Sequence, residues 1–319
     1  MGITHLSGLE VAGVPTMGIG GGLPLTAGNG NYFFVSSTQG SNGNTGAADN
    51  PYATLDFAIG QCVAGDGDVI VILPGHTETI SSNTALNFDV AGITIIGLGT
   101  GSARPTFTLG TANTTRIPVS AANIKIQNCI FVGNFLSIAT CFLLTTAPGF
   151  WVDSCEFRDT SAVLGFLSII TTTVSVNCDG LQFTNNVVQS DATTTPGPTI
   201  VVANTLDRLT ILGNVITHST ISNNVSALLA HGALVVTHLN MGYNTVYSVN
   251  TDTATGGLLI TTSATTGSGM VYNNYAAALD TAAAILFTAT AVQYGYFNNY
   301  YAHRGNTTSG YLLPAAGTD

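Results

Sequence analysis

Asp153, Glu156 and Asp159, with Arg158 among them, are the densest acidic group in a chain that has 16 Asp and Glu in 319 residues. Paired carboxylates can share general acid and base roles, or hold a divalent cation. Read as a single strand, Asp153 and Asp159 differ by six and share a face, while Glu156 points the other way. One repeat earlier and later the equivalent position is Cys129 and Asn186, with no second group of acids. The set is therefore expected to be a solvated strand edge beside the sole tryptophan, Trp151. His76 and Glu78 lie two apart after a strand, can share a face, and are expected to serve a turn. His218, His231, His238 and His303 are scattered, without the spacing of metal ligands. No Gly-x-Ser-x-Gly elbow occurs, and Gly20-Gly21-Gly22 lacks the lysine and helix of a phosphate loop. No catalytic residue, cofactor site or metal site is expected.

Composition narrows the function classes. Charged residues are 7% of the chain, against a usual share of about 25%. Net charge is −10, with Lys125 the single lysine. A nucleic-acid binder needs a basic stripe to neutralise phosphates, so that class is excluded. Mean hydropathy is +0.38, yet no run approaches the ~18 uninterrupted apolar residues of a membrane helix. Met1-Gly2-Ile3-Thr4-His5 has neither the charged nor the apolar part of a signal peptide. Leu6 stands where a myristoylation pattern wants Ser or Thr. A surface this poor in charge is expected to pack against copies of itself or other proteins.

The elements that would position these residues announce themselves by repetition. Seven segments align on Cys129, Cys155, Asn186, Asn214, Asn244, Asn274 and Asn299, with gaps of 26, 31, 28, 30, 30 and 25. Each is a small polar residue followed by strand formers, the mark of a solenoid. A second apolar set, centred on 143, 169, 201, 229, 259, 286 and 312, trails by about half a period, so each turn holds two or three strands. Propeller blades need ~40 or more residues, and helix pairs would show helical apolar spacing. An all-β parallel β-helix of eight or nine coils, roughly 40 Å long at ~4.8 Å per coil, fits. At a bend, Asn can bond the coils above and below and tolerates left-handed geometry. The seven aligned residues are thus expected to form a structural ladder. The five cysteines lack CxxC pairing and are expected to be buried thiols, with Cys129 and Cys155 stacked.

Residues 1–29 read as an extended Gly-rich arm. Its Leu6, Leu9, Val11, Val14 and Leu23 are candidates for binding a partner. Residues 30–69 bring a strand at Tyr32 to Val35, a loop, and a helix expected to be capped by Asn50 with Pro51 at its first position. Residues 70–305 are coils and 306–319 a C-terminal cap or tail.

Phe34-Val35-Ser36-Ser37, Gly40-Ser41-Asn42-Gly43-Asn44, Asn50-Pro51-Tyr52-Ala53-Thr54-Leu55 and Gly67-Asp68-Val69-Ile70-Val71-Ile72-Leu73-Pro74-Gly75-His76-Thr77-Glu78 form one pattern. It resembles the opening segment of right-handed parallel β-helix proteins with the pectate-lyase-like fold. That resemblance implies the handedness, and a helix that caps the open first coil. Together with the Gly-rich arm and the lysine-poor coils, the chain looks like structural proteins of tailed bacteriophages. The opening pattern covers under a sixth of the chain, and the fold serves many tasks. The resemblance implies a non-enzymatic virion protein, a homotrimeric capsid decoration or spike held through its arm to a major capsid or other virion protein. A lateral face such as Ile169 to Val174 or Leu258 to Thr262 would then meet a symmetry mate. The alternative is a carbohydrate-active tailspike that binds or cleaves a host surface glycan, with Trp151 and Tyr243, Tyr247, Tyr272, Tyr294, Tyr296, Tyr300 and Tyr301 as stacking surfaces. No nucleic acid, membrane or cofactor partner is expected.

Overall fold

The computed structural model describes residues 10–11, 14–15, 30–190, 197–218, 228–248, 257–278, 285–287, 294–303 and 311–313. From Tyr32 onward the backbone winds through three stacked sheets. The first has ten strands, from Tyr32–Val35 to Gly295–Phe297. The second has ten, from Thr77–Ile80 to Asn299–His303 and then Tyr311–Leu313, and the third has seven, from Ile117–Val119 to Ile285–Phe287. Seven full turns thus carry all three strands among the described residues. At ~4.8 Å per strand the ten-stranded sheets span roughly 43 Å.

The solenoid winds because each strand is too short to bury its apolar side alone and must stack on the turn before. Neighbours in the first sheet pair in register, as in Ile70↔Ile95↔Ile126↔Val152↔Phe183↔Ile211↔Met241↔Val271. This column is buried throughout. On the second sheet Phe107, Phe131 and Phe157 stack at 5.5 and 5.3 Å between ring centroids. Each such ring removed from water contributes about 2–3 kcal/mol.

The aligned segments turn out to straddle a bend between the first and second sheets. The left-handed residue is the one before each ladder position: Asn128, Ser154, Asn185, Gly213, Tyr243, Asn273 and Asn298, with φ between 49° and 67°. The ladder residue itself turns inward and is buried. The apolar set at 312 also departs from expectation. Tyr311–Leu313 pairs antiparallel with Asn299–Tyr301 and so closes the second sheet rather than extending the third.

The opening helix, α1, is Leu55–Ile59, five residues with Thr54 as its first flanking residue. It starts later than expected because Tyr52 belongs to the sheet: its N–H donates to Phe34 O and its carbonyl accepts from Ser36 N–H. Asn50 and Pro51 therefore lie in the approach to the bridge between Val35 and Tyr52, not at a helix cap. Leu55, Ala58 and Ile59 are buried with Ile70, Ile72 and Ile80. Near the N-terminus, Glu10–Val11 and Val14–Pro15 form a small antiparallel pair, with Val11 opposite Val14. Leu6, Leu9 and Leu23 lie outside the described residues.

Candidate functional site

The acidic group comes apart at Ser154. Its left-handed backbone (φ 54°) ends the alternation on which a shared face depended, so Asp153 belongs to the first sheet and Glu156 to Asp159 to the second. The three carboxylates face three directions.

Asp153 lies on the outer side of the first sheet. Its Oδ1 accepts from Thr184 Oγ1 (2.7 Å) and Asn185 Nδ2 (3.0 Å), and its Oδ2 from Gln127 Nε2 (2.6 Å). Lys125 Nζ is 4.0 Å away and sits 3.4 Å from the ring centroid of Trp151. Burial holds the Lys125 ammonium below its ordinary value, and Asp153 pulls the other way. The indole N–H of Trp151 donates to Thr184 Oγ1 at 2.7 Å. The tryptophan thus has one face under a cation and its donor spent inside the sheet.

Glu156 and Arg158 share the outer side of the second sheet, opposite the buried Phe157. Glu156 is held by Arg104 from two turns earlier and by Arg158 of its own strand. Burial pushes the Glu156 carboxyl up, but the bonds and charges of Arg158 and Arg104 outweigh it and the net shift is downward. A carboxylate so held stays ionised and is a poor proton donor or acceptor near neutrality. Asp159 turns inward at the strand end. It accepts from Phe166 N–H (2.9 Å) and Ser190 Oγ (3.1 Å), and lines a cavity with Phe157, Ser168 and His218. The space that can take the centre of a water there is about 10 Å³. That suits one water molecule, not a sugar ring.

The histidines have separate environments. His76 is buried with Nε2 3.2 Å from Glu78 Oε2, and the same oxygen accepts the N–H of Leu55 at 3.0 Å. Glu78 therefore satisfies the first turn of α1, a tie across 23 residues that the expected turn role missed. His231 is buried, with Nδ1 2.8 Å from Leu234 O and Nε2 3.1 Å from Tyr294 Oη, and burial holds its pKa below the ordinary value. His238 is exposed, and its Nδ1 lies 2.6 Å from Asp207 Oδ1, which Thr237 Oγ1 also meets at 2.6 Å. Those bonds hold Asp207 below the usual carboxylate range. The side chain of His303 lies outside the described residues. Among the described residues no group of three or more His, Cys, Asp or Glu is placed to hold a metal ion.

No family profile matches this chain, and no curated protein does. Among solved structures, a rhamnogalacturonan lyase is similar to it, at 14% identity and a TM-score of 0.40, over 76% of this chain and 75% of that one. The chemistry has to be read from this chain's own side chains.

Those side chains put the longest polar array inside the wall. Asn186 N–H and Nδ2 both donate to Asn214 Oδ1 (2.9 and 3.2 Å), and its Nδ2 also donates to Val152 O of the preceding turn (3.0 Å). The pattern repeats from Asn214 to Asn244, Asn244 to Asn274 and Asn274 to Asn299, each step between 2.9 and 3.1 Å. Cys155 N–H donates to Asn186 Oδ1 at 2.9 Å and so joins the array. Cys129 and Cys155 are buried and all five cysteines are free thiols. Burial pushes the Cys155 thiol up to about 12, which removes the reactive thiolate. This ladder binds coil to coil and is unavailable to a ligand.

One surface feature gathers three of the tyrosines considered for sugar stacking with two aromatics that were not, Tyr275 and Phe297. Tyr243, Tyr272, Tyr275, Phe297 and Tyr300 meet at the outer corner between the first and second sheets. Tyr243 packs edge-on to Tyr272 (5.5 Å), and Tyr275 stacks on Tyr300 (5.2 Å, 9°). Of the other aromatic residues considered for sugar stacking, Tyr294 is buried and Tyr296 half-buried, with burial pushing the Tyr296 hydroxyl well up. The signal in the sequence is a recurrence of aromatics within two residues of the bend in consecutive repeats. Among the described residues no helix is long and apolar enough to cross a membrane.

Proposed function

We propose that this chain is a non-enzymatic structural protein of a bacteriophage virion, a homotrimeric capsid decoration or spike attached through residues 1–29. The observation that carries the non-catalytic part is the fate of the acidic group. Asp153, Glu156 and Asp159 face three directions; Asp153 and Asp159 are each held by at least two donors from neighbouring turns or loops, and Glu156 by Arg104 of another turn and Arg158 of its own strand. No two of them converge on a common volume in which a glycosidic bond could sit. The virion assignment draws on the opening pattern, the Gly-rich arm and the charge-poor coils, and takes no support from the lyase likeness.

The second reading, a glycan-binding tailspike, draws on the tyrosine corner. The two readings separate on a panel of acidic and neutral polysaccharides, incubated with purified protein with and without calcium. The structural reading expects every polymer to keep its length. Cleavage that disappears in Glu156→Gln would overturn it. For the location, electron micrographs of particles from cells that encode the chain are expected to show antibody against it on the outer surface, and unlabelled particles that lack the chain by mass spectrometry would refute a virion role.

A further inference from the structure

The homotrimeric reading was expected to set a face such as Ile169 to Val174 or Leu258 to Thr262 against a symmetry mate, but Ile169, Ile170, Leu259 and Ile260 are buried within the chain, and the geometry points to the aromatic corner. We propose that copies of this chain meet through the outer edge between the first and second sheets of the late turns, around Tyr243, Tyr275 and Phe297. The proposal rests on the self-association reading above and adds its surface.

Three observations carry it. The first is area. Tyr243 is 63% exposed, Met270 53% and Phe297 52%, and Val215, Tyr247 and Tyr275 stand open beside them. With about 150–250 Å² for each aromatic side chain, the six offer roughly 550 Å². That is the upper end of the largest apolar patch a lone protein carries, ~300–600 Å². It is also about two-thirds of the ~800 Å² each partner brings to a stable interface. Tyr, Phe and Met are the residue types enriched at such contacts.

The second observation is charge. The strands that carry the corner, Val215–His218, Leu239–Gly242, Thr245–Ser248, Gly269–Tyr272, Tyr275–Ala278 and Gly295–Phe297, contain no Asp, Glu, Lys or Arg. Copies with a net charge of −10 repel one another where charged faces meet. Here they do not. A column of aromatics along one edge of a prism also suits a rotation axis parallel to the coil stack, on which each level meets its own copies.

The third observation is backbone strain. Tyr243 has φ 56°, at a bend where the other turns place Asn, Ser or Gly (Asn128, Ser154, Asn185, Gly213, Asn273 and Asn298). An aromatic residue is disfavoured there. Its contact with Tyr272 leaves most of the ring in water, so burial within one chain does not offset that cost. A partner ring over it would.

This separates folding from association in one substitution. Tyr243→Asn restores the residue type the bend prefers. It is expected to keep or raise the thermal midpoint while weakening self-association about tenfold or more, read as mass by light scattering over a dilution series. Phe297→Asp is expected to do the same to the mass, and Val163→Asp, at an exposed site outside this corner (49% exposed), is expected to leave it unchanged. Far-UV circular dichroism reports that each variant is folded. If the wild type is oligomeric and both corner variants keep its mass, the corner is refuted and self-association stands. A wild-type monomer at micromolar concentration overturns self-association itself, and this proposal with it. A monomer whose tyrosine fluorescence responds to neutral oligosaccharides, with the response lost in Tyr243→Asn, would make a sugar the occupant and likewise overturn it.

Discussion

The turns around Cys129 and Cys155 and the turns from Asn186 to Asn299 solve one problem with different chemistry. Adjacent coils must be held in register, since a slip of one residue would exchange the buried and exposed faces. In the late turns the device is internal: each Asn accepts two hydrogen bonds from the preceding turn's Asn, or one from Cys155 at Asn186, and donates to the turns before and, up to Asn274, after it. In the early turns the rung is a thiol. Cys155 Sγ lies 3.4 Å from Asp153 O and 3.8 Å from Ile126 O, both marginal partners for a weak donor. Those same turns carry cross-coil bonds on the outside instead, Arg104 to Glu156 and Gln127 to Asp153. They also hold the phenylalanine stack, where later turns place Val188, Ile216, Val246 and Ala276 in the same column. Register in one half is kept by buried amides, and in the other by outer charges over a rigid aromatic filling.

The comparison breaks most visibly at Asn214. Asn214→Leu strands Asn186 N–H and Phe183 O, both buried, and takes from the Asn244 Oδ1 acceptor one of its two donors. At 1–3 kcal/mol for each orphaned group, the loss is expected to be about 5 kcal/mol. Cys129→Ala removes a weak donor and one sulfur, and is expected to cost about 1.5 kcal/mol. Chemical denaturation of both variants checks this. Equal costs would mean that the asparagine rungs hold nothing the thiols do not.

Acid is expected to part the halves as well. Burial holds His231 below its ordinary 6.5 in the folded chain, so its neutral form stabilises fully above 6.5. That contribution is lost as pH falls towards the folded value, because the unfolded chain takes up the proton first. Glu156 is also held below its ordinary 4.5, by Arg158 and Arg104 against burial. Its contribution is whole above 4.5 and lost only as pH falls further, through its folded value. Between pH 6.5 and 5 the late turns should therefore loosen alone. Hydrogen exchange is expected to rise at Leu229–Gly232 while Ile130–Gly133 and Glu156–Asp159 stay protected, and His231→Leu should flatten the response. A matching rise in both halves would show that His231 does not set it.

How much of this was readable beforehand depends on whether a feature is periodic. The ladder column was legible because Asn recurs at one place in five successive turns, from Asn186 to Asn299, after Cys in the two before, and stacking makes equivalent positions neighbours. The facing of Asp153 and Asp159 was not, since strand alternation holds only until a left-handed residue, and Ser154 carries no sign that it is one. The start of α1 was misread because Asn50 and Pro51 are good helix openers, yet the backbone of Tyr52 is taken by the sheet at Phe34 and Ser36. Glu78 was seen beside His76, but its partner, the N–H of Leu55, is fixed by how the chain returns over its own end. The aromatic corner had a periodic signal that the tyrosines, taken singly, concealed.

The smallest expected effect is the sharpest test of the comparison. Cys155→Asn would carry the amide ladder one turn into the early half. By analogy with Asn186, its Nδ2 would reach Ile126 O and Asn186 Oδ1, and its Oδ1 would face Cys129 N–H. Cys155 N–H already donates to Asn186 Oδ1, so the backbone is in place to receive it. Replacing a marginal thiol contact by two amide bonds is expected to stabilise by about 1 kcal/mol, seen as a rise in the thermal midpoint. A loss of ~2 kcal/mol or more would mean instead that Phe131, Phe157 and Cys141 fill the early interior so tightly that an amide cannot be oriented there. In that case the outer bonds of Glu156 and Asp153 would be the register device this packing permits, and the thiol a consequence of the aromatic core rather than a lapse in the ladder.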